Sequence, residues 1–418
     1  MTDIERGRLA GAQWLTQGPL AKLLAVLHRD GEEARVVGGA VRDALLGKIP
    51  QEIDLATTAV PEEVIRRTTA AGFKAVPTGV DHGTVTVIVN GAPYEVTTLR
   101  EDIETFGRKA VVRFGRDWKL DAERRDLTIN ALSVSADGTV YDDVGGLADL
   151  AAGRVRFIGN PATRIAEDYL RVLRFFRFHA AYANGALDPA GFKASTNALE
   201  WIDNLSRERV RMEFLKLLIA KRAASTLAAM AESSLLVQVL GGVPLVADFS
   251  RMVEREEHLG LAADPMRRLA ALGVFTIEDA QRLGQRLRLS NNEFDRLASM
   301  VDRWWRIDPA WGELEMRALL YRLGADRFVD RVLMAWVRSG AGVKDEAWQL
   351  LATLPQTWPV PVFPLKAADL MARGVEKGPR LGAALKSAEE AWIKAGFPMA
   401  DAALADIADV VAKWVLAE

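Results

Sequence analysis

The chain of 418 residues contains no cysteine and only four histidines. The absence of cysteine excludes disulfides and thiolate zinc sites, and four scattered histidines argue against a histidine-rich metal centre. No apolar run is long enough to span a bilayer, and the first residues, Met1 to Arg6, do not have the pattern of a signal peptide. We therefore expect a cytoplasmic protein without a membrane association.

The sequence also has little net charge, with 54 basic and 56 acidic side chains. A generally basic nucleic-acid-binding surface is therefore not expected, and any RNA site must be a local patch. Hydrophobic residues make up 50% of the chain and charged residues 26%, which is typical of globular proteins. A chain of this length is expected to form two to four domains.

A glycine pair stands between a predicted strand end and a predicted helix in the segment Val36 to Asp43. Gly38 and Gly39 permit backbone geometry that a β-carbon would obstruct, and the helix is predicted over residues 40–46. Backbone N–H groups at the start of a helix favour phosphate binding, and Arg42 can add a bidentate guanidinium. The segment therefore predicts a phosphate-binding turn.

Acidic residues follow this turn. Glu52 and Asp54 occupy alternate positions of a predicted short strand, so that both carboxylates should leave the sheet on one face. Two carboxylates beside a phosphate-binding turn match two-metal phosphoryl transfer, in which oxygen ligands hold Mg²⁺. Glu95 lies on a strand hairpin predicted over residues 83–99 with its turn at Asn90-Gly91. It is a candidate third carboxylate, although an exposed strand glutamate explains it equally well.

Other segments have weaker patterns. Residues 5–30 predict an amphipathic helix, and Pro61 to Ala71 predicts a helix that a proline begins. Residues 100–118 are charged, contain glycine and lack a period, so they predict a mobile loop. The segment Arg124 to Leu132 predicts a short helix, in which Asp126 can accept a hydrogen bond from a ribose hydroxyl.

Residues Ala162 to Ala181 predict one long helix. Its polar face carries Asp168 and Arg171, flanked by Glu167 and Arg174. A solvated ladder of ion pairs is the ordinary explanation of such a face. The functional alternative is that Asp168 accepts from an exocyclic amine and Arg171 donates to a ring acceptor, which fits cytosine and adenine and rejects uracil and guanine.

Beyond residue 150 strand patterns fade, and the chain predicts helices interrupted at residues 241–244, 264–265 and 355–364. Nine of the eleven tryptophans follow residue 200, most of them in a helical context, and we predict that they are core residues rather than base-stacking platforms.

Four motifs together carry a family resemblance, namely Gly38-Gly39-Ala40-Val41-Arg42-Asp43 through Asp54, Arg124-Arg125-Asp126, Asp142, and Glu167-Asp168-x-x-Arg171-x-x-Arg174. In this order they resemble the class II tRNA nucleotidyltransferases and bacterial poly(A) polymerases of the DNA polymerase β-like superfamily. The resemblance implies an α+β fold with a polymerase β-like nucleotidyltransferase head at residues 1–150. An all-α neck at 151–220, body at 221–354 and tRNA-binding tail at 355–418 would follow.

The resemblance also implies an enzyme that adds CCA to the 3′ end of tRNA from CTP and ATP with Mg²⁺, without a template. The implied catalytic residues are Glu52, Asp54 and Glu95, the first two as metal ligands. The implied nucleotide-binding residues are Gly38, Gly39, Arg42, Arg125, Asp126, Asn130, Asp168, Arg171 and Arg174. The loop at 100–118 would take part in the switch from C to A, and no obligate protein partner is expected.

One departure from the family pattern concerns Glu52, because the family has aspartate at both carboxylate positions. Three alternatives stay open. A poly(A) polymerase would share the head, although its Gly-basic-basic-Phe strand motif is replaced here by Gly83-Thr84-Val85. A CC-only enzyme would share nearly every motif, and a non-catalytic RNA-binding relative would be expected to have lost a metal ligand.

Overall fold

The computed structural model describes residues 7, 9, 11–106 and 109–417, and for residues 101–106 and 109–112 it describes the backbone alone. The chain folds into two compact units. Unit 1 comprises the chain up to Pro244 with residues 286–288, and unit 2 comprises residues 245–285 and 289–418. The predicted division into head, neck, body and tail is finer than this and stays a prediction.

Unit 1 contains a mixed sheet. Its strands are β1 (Ala34–Val37), β2 (Asp54–Thr57), β3 (Lys74–Gly79), β4 (Thr84–Val89), β5 (Ala92–Thr98), β8 (Ser133–Val134) and β9 (Val140–Tyr141). The spatial order is β3-β4-β5-β2-β1-β8-β9. Only β2 and β5 pair in parallel among these neighbours. A mixed sheet followed by helices confirms the predicted α+β class.

The helices of unit 1 are α1 (Gln13–Thr16), α2 (Gly18–Leu27), α3 (Gly39–Leu45), α4 (Pro61–Ala70), α5 (Trp118–Glu123), α6 (Gly146–Ala151), α7 (Pro161–Glu167), α8 (Leu170–Tyr182), α9 (Pro189–Asn197), α10 (Arg207–Leu218), α11 (Ala223–Glu232) and α12 (Leu235–Leu240). Short 3₁₀ turns lie at Val80–His82, Thr128–Asn130 and Leu199–Asn204. The β4–β5 hairpin is confirmed, with positive φ at both turn residues, Asn90 and Gly91, as a type I′ turn requires. The helix that Pro61 begins is confirmed as well.

Several predicted elements are wrong within unit 1. The N-terminal helix is interrupted at Gln17, because Gly18 has a φ of +76° and Pro19 follows it. Residues 100–118 are not an irregular loop, since Arg100–Phe106 (β6) and Lys109–Phe114 (β7) pair as antiparallel strands. The central residues of that predicted loop, 107 and 108, lie outside the described part.

The predicted helix over Arg124 to Leu132 is displaced towards the N-terminus. Asp117 caps α5 by accepting from the backbone N–H groups of Lys119 and Leu120 at 2.8 and 3.2 Å. The helix therefore starts at Trp118 and has ended before Arg124, which leaves Leu127 extended. A side-chain cap fixed the start, which the hydrophobic spacing could not reveal.

Unit 2 contains α13 (Val246–His258), α14 (Pro265–Gly273), α15 (Ile277–Arg286, whose last residue falls in unit 1), α16 (Asn291–Val301), α17 (Glu313–Leu323), α18 (Ala325–Ser339), α19 (Glu346–Thr357), α20 (Ala367–Met371), α21 (Pro379–Lys394) and α22 (Asp401–Ala417). A 3₁₀ turn lies at Trp304–Arg306. In the described part of the chain no helix is long and apolar enough to cross a bilayer.

The prediction that the late tryptophans are core residues is only partly correct. Three of them, at positions 336, 348 and 392, are buried. Four others are exposed, namely Trp201, Trp305, Trp311 and Trp414. Of these, only Trp414 lies in an α-helix, so helical periodicity gave no information about the burial of the rest.

Candidate functional site

The glycine pair forms the predicted connection between β1 and α3. Gly38 has a φ of +73° and Gly39 is the first residue of α3. A β-carbon at Gly38 would lie 3.5 Å from Nη1 of Arg125 and 3.6 Å from the carbonyl oxygen of Asn130. The positive φ and this close approach of a basic side chain both favour glycine at position 38.

Asp54 and Glu95 lie opposite each other on the parallel strands β2 and β5. Both side chains are exposed and line a cavity of about 220 Å³, whose other polar walls include Arg124 and Arg125. Glu52 does not share this strand, because β2 begins at Asp54 and Glu52 lies in the preceding bend. The predicted alternation of Glu52 and Asp54 along one strand is therefore wrong, and Glu95 occupies the position beside Asp54.

The electrostatics of this pair favour a cation. The cavity walls desolvate the Asp54 carboxylate although the residue is exposed by surface area, and this desolvation, together with the negative charge of Glu95, raises the pKa of Asp54. The positive charge of Arg125 opposes that rise. Glu52 contributes a further, smaller upward effect. A divalent metal ion would relieve the repulsion between Asp54 and Glu95, and carboxylate oxygens are the ligands such ions prefer.

The residues present thus fit a metal site through two carboxylates. Within the described residues, no three acidic or histidine side chains lie close enough together to form a ligand cluster. Glu52 is therefore not brought into one group with Asp54 and Glu95 in this structure.

A buried aspartate that the sequence reasoning missed orients the two arginines of the cavity. Asp121 is only 4% exposed and accepts from Arg124 at 2.6 and 2.8 Å and from Arg125 at 3.0 Å. Burial acts to raise the pKa of Asp121, but the charges of Arg125 and Arg124 outweigh it and hold that pKa below its usual value. The three- and four-residue spacing of Asp121 from the arginines, which brings side chains together on a helix, was the available signal.

Arg42 does not line the cavity that holds Asp54. It is buried, and its guanidinium donates to Oδ1 of Asn130 at 2.5 Å, to the Tyr182 hydroxyl at 2.7 Å and to Asp43 at 3.0 Å. The guanidinium also lies 4.0 Å from the centre of the Tyr182 ring. Arg42 therefore connects α3 to the end of α8, and the predicted direct fork onto a triphosphate is not supported.

Asp126, Asn130 and Arg174 are brought together, as the predicted nucleotide site requires. Asp126 accepts from Nε of Arg174 at 2.6 Å and from the Asn130 amide at 3.4 Å. Burial acts to raise the pKa of Asp126, but Arg174 and the hydrogen bonds outweigh it, so that the carboxyl pKa is lowered. Arg174 also donates to Glu213 of α10 at 3.4 Å.

Asp168 and Arg171 do not lie on one continuous helix, so that prediction is wrong. Asp168 separates α7 from α8 with a φ of −156°, and its side chain accepts from the backbone N–H of Leu170 at 3.1 Å. Aspartate favours such a local bond over a helix interior. Arg209 of α10 binds the Asp168 carboxylate with two donors, at 2.5 and 3.3 Å.

Arg171, in the first turn of α8, pairs with Glu167 and donates to the carbonyl oxygen of Arg164 at 2.9 Å. Both predicted base-reading groups are thus held by protein partners. Arg209, which holds Asp168, was not among the predicted site residues.

Sequence comparison identifies two matching families. Residues 34–156 match the family described as the Poly A polymerase head domain. Residues 186–249 match the one described as a probable RNA and SrmB-binding site of polymerase A.

Curated relatives extend over most of the chain. The mitochondrial CCA tRNA nucleotidyltransferase 1 of Danio rerio is 35% identical over 391 residues, which cover 91% of this chain and 88% of that protein. The CCA-adding enzyme of Limosilactobacillus fermentum is 32% identical over 376 residues, which cover 88% of this chain and 90% of that enzyme.

Solved structures of CCA-adding enzymes also match this chain. The CCA-adding enzyme of Bacillus stearothermophilus, crystallised with CTP, matches with a TM-score of 0.71 and 28% identity over 90% of this chain and 92% of that one. The Thermotoga maritima CCA-adding enzyme in complex with tRNA shares the fold, with a TM-score of 0.67, 18% identity and 98% coverage of both chains. The two long matches at 35% and 32% identity show that the chain belongs to the CCA-adding tRNA nucleotidyltransferase family.

Proposed function

We propose that this protein adds the sequence CCA to the 3′ end of tRNA, using CTP and ATP and no nucleic-acid template. The observation that carries the proposal is the acidic pair Asp54 and Glu95, which faces two oriented arginines in a chain similar to CCA-adding enzymes over most of its length. Named relatives have been solved with CTP, with ATP and with tRNA.

The reaction is a nucleotidyl transfer. The 3′-hydroxyl oxygen of the tRNA forms a bond to the α-phosphorus, the bond from that phosphorus to the bridging oxygen breaks, and pyrophosphate leaves with the electron pair while the hydroxyl proton passes to solvent. Asp54 and Glu95 would hold the divalent metal, which we take to be Mg²⁺, with Glu52 a further candidate ligand. Such an ion, when bound, would stabilise negative charge at the phosphate oxygens and make the attacking hydroxyl more acidic.

The chain's own residues would orient the nucleotide around this centre. Arg125, held by Asp121, would present donors to phosphate oxygens in the cavity. The backbone N–H of Gly39 would assist it, whereas the N–H of Gly38 donates to the carbonyl oxygen of Leu132 at 2.9 Å, so the predicted phosphate contact of Gly38 is not retained. In our assignment Arg42 stabilises the glycine turn through its hydrogen bonds to Asn130, Tyr182 and Asp43, and it does not bind the phosphates. The phosphate site therefore stays at the predicted place, but Arg125 takes the role that was predicted for Arg42.

Ribose recognition would use the remaining capacity of Asp126. A carboxylate has about four acceptor positions. Asp126 accepts from Arg174, from Asn130 and from the backbone N–H of Leu127, which leaves about one position for a ribose hydroxyl. Arg174 would act as a positioning residue in this arrangement.

Base recognition would use Asp168 and Arg171 in the same way. Asp168 accepts from Arg209 twice and from one backbone N–H, which leaves about one acceptor position for an exocyclic amine. Arg171 donates to its protein partners through Nη1, and a guanidinium has five N–H donors in total, so donors remain for a ring nitrogen. An amine beside a ring acceptor is shared by cytosine and adenine.

The activity is tested by extension of a tRNA that lacks its CCA end, with each nucleotide alone and with CTP plus ATP. We expect addition that depends on a divalent metal and stops after three nucleotides. Long adenylate tails on arbitrary RNA would support a poly(A) polymerase instead, and arrest after two cytidines would support a CC-only enzyme. Absence of any incorporation by the folded protein would contradict the proposal.

Base recognition is tested by single-nucleotide incorporation of all four nucleotides. Asp168→Ala should relax selectivity towards UTP, because a uracil carbonyl no longer faces a carboxylate. Arg171→Ala should reduce the use of CTP and ATP together. Discrimination that relies on buried hydrogen-bond mismatches can reach about 10⁴-fold, so the change should be large. Exposed Glu62 on α4 provides a matched control as Glu62→Ala, and unchanged selectivity in both site variants would refute the assignment.

Further expectations from the sequence remain proposals. We propose that the tail at residues 355–418 binds tRNA and that the protein is cytoplasmic. Three curated relatives of this chain are named as mitochondrial enzymes.

A further inference from the structure

An aromatic pair on the surface of unit 1 has no role in the site described so far. The rings of Tyr169 and Trp201 stack with centroids 5.0 Å apart and planes 10° from parallel. Trp201 is nevertheless 48% exposed. Because Tyr169 covers one face of the indole, that exposure means that other parts of the ring are open to solvent.

The position of the pair relates it to the nucleotide site. Tyr169 directly follows Asp168 in the short connection between α7 and α8, and Arg209 fixes the Asp168 carboxylate. Trp201, from the turn Leu199–Asn204, extends the stack outward from this connection.

We propose that the exposed ring of Trp201 is a stacking platform for the unpaired base at the 3′ end of the tRNA. The inference rests on the proposed function, since it assumes that Asp168 reads the incoming base next to this end. Stacking is tolerant of sequence because every base has a π-face. This property suits the growing end, whose terminal base changes as nucleotides are added, whereas the incoming base must be chosen by its hydrogen-bonding edge.

The test uses a short acceptor-stem RNA whose single-stranded 3′ end terminates in 2-aminopurine, with no nucleoside triphosphate present. Stacking quenches 2-aminopurine fluorescence, so the signal reports the contact directly. We expect quenching and tight binding with the wild-type protein. Trp201→Ala should abolish the quenching and weaken binding about 5- to 150-fold, the range that corresponds to one stacked base. Trp201→Phe should retain most of both effects.

Two controls separate the proposal from a structural role. Met212 of α10 is an apolar side chain of similar exposure, at 55%, and Met212→Ala should behave as wild type. A blunt acceptor stem without the single strand should bind the wild type and Trp201→Ala equally. Equal loss of affinity for the blunt stem, or unchanged quenching with Trp201→Ala, would overturn the proposal.

The alternative occupant is the base of the incoming nucleotide. If Trp201→Ala raises KM for CTP and ATP while RNA affinity and quenching stay unchanged, the platform holds that base and the proposal is wrong. The binding experiment needs no catalysis. Its result is therefore independent of the nucleotide-selectivity test on Asp168, and the two proposals can fail separately.

Discussion

Substitution of Arg42 tests whether this residue supports the fold or binds phosphate. A phosphate ligand would be expected to weaken nucleotide binding with little effect on folding. The structure instead shows a buried guanidinium that donates to Asn130, Tyr182 and Asp43. We therefore expect Arg42→Ala to act first on stability.

The expected loss of folding stability in Arg42→Ala follows from these contacts. Removal of the guanidinium leaves the buried Oδ1 of Asn130 without this donor, which costs about 1–3 kcal/mol. It also removes a charged hydrogen bond and a cation–π contact to Tyr182, of about 1.5–3 and 1–2 kcal/mol. The pair with Asp43 is partly exposed and adds little. Because such terms are not additive, we expect a total of about 3–5 kcal/mol, in line with the loss of one partner from a buried charged network.

Thermal unfolding measures this effect. For a folding unit of about 250 residues, a destabilisation of 3–5 kcal/mol lowers Tm by about 6 to 20 °C. Since this is a large part of the stability of an ordinary protein, Tyr182→Phe provides a milder variant that removes the hydroxyl alone, with an expected loss of about 3–12 °C.

Arg66 of α4 is a matched control, because its guanidinium also pairs with a carboxylate, through two donors at 2.6 and 2.7 Å, but is exposed. Arg66→Ala should leave Tm within the error of the measurement. The reasoning is refuted if Arg42→Ala melts like the wild type and shows only a raised KM for CTP and ATP.

Three further predictions concern chemistry, nucleotide switching and pH. Asp54→Asn, which keeps the side-chain shape, should lower kcat by about 10²-fold or more while tRNA affinity stays near wild type; a near-normal rate would exclude Asp54 as a metal ligand. Arg100 and Phe114 lie opposite each other at the base of the β6–β7 hairpin, so residues 101–113 can be replaced by two glycines. We expect this deletion to spare C addition and to impair the final A selectively, and equal loss of both steps in primer extension would contradict that role. Burial, assisted by Arg222, lowers the pKa of His179 from 6.5 to about 4, so the unfolded chain binds a proton that the folded chain does not between these values. Stability should therefore be highest above pH 6.5 with respect to this group and fall by up to about 3 kcal/mol as pH drops towards 4. Denaturant unfolding should show this loss reduced in His179→Gln and retained in the exposed control His28→Gln.

The sequence by itself determined the elements whose causes are local. The turn at Asn90-Gly91 needs two positive φ angles, and the helix that begins at Pro61 has its φ set by the proline ring. The glycine turn at Gly38 was predictable for the same reason. The motif order also identified the family, because it depends only on which residues follow one another.

Only the tertiary structure decided which side chains meet. The sequence placed Glu52 and Asp54 together by their spacing, yet the partner of Asp54 in the sheet is Glu95, 41 positions away on a parallel strand. Strand pairing of this kind depends on sheet order, which periodicity does not encode.

Long-range contacts that the sequence pattern does not encode also decided the role of Arg42 and the break in the helix at Asp168. Arg42 has the composition of a phosphate ligand, but the residues that use its donors, Asn130 and Tyr182, are 88 and 140 positions away. Asp168 interrupts a pattern that is helical on both sides, because its carboxylate accepts from the backbone N–H of Leu170 and pairs with Arg209, 41 positions away. Local pattern determines which elements can form, whereas long-range hydrogen bonds and charge pairs decide where an element ends and which side chains remain for substrate.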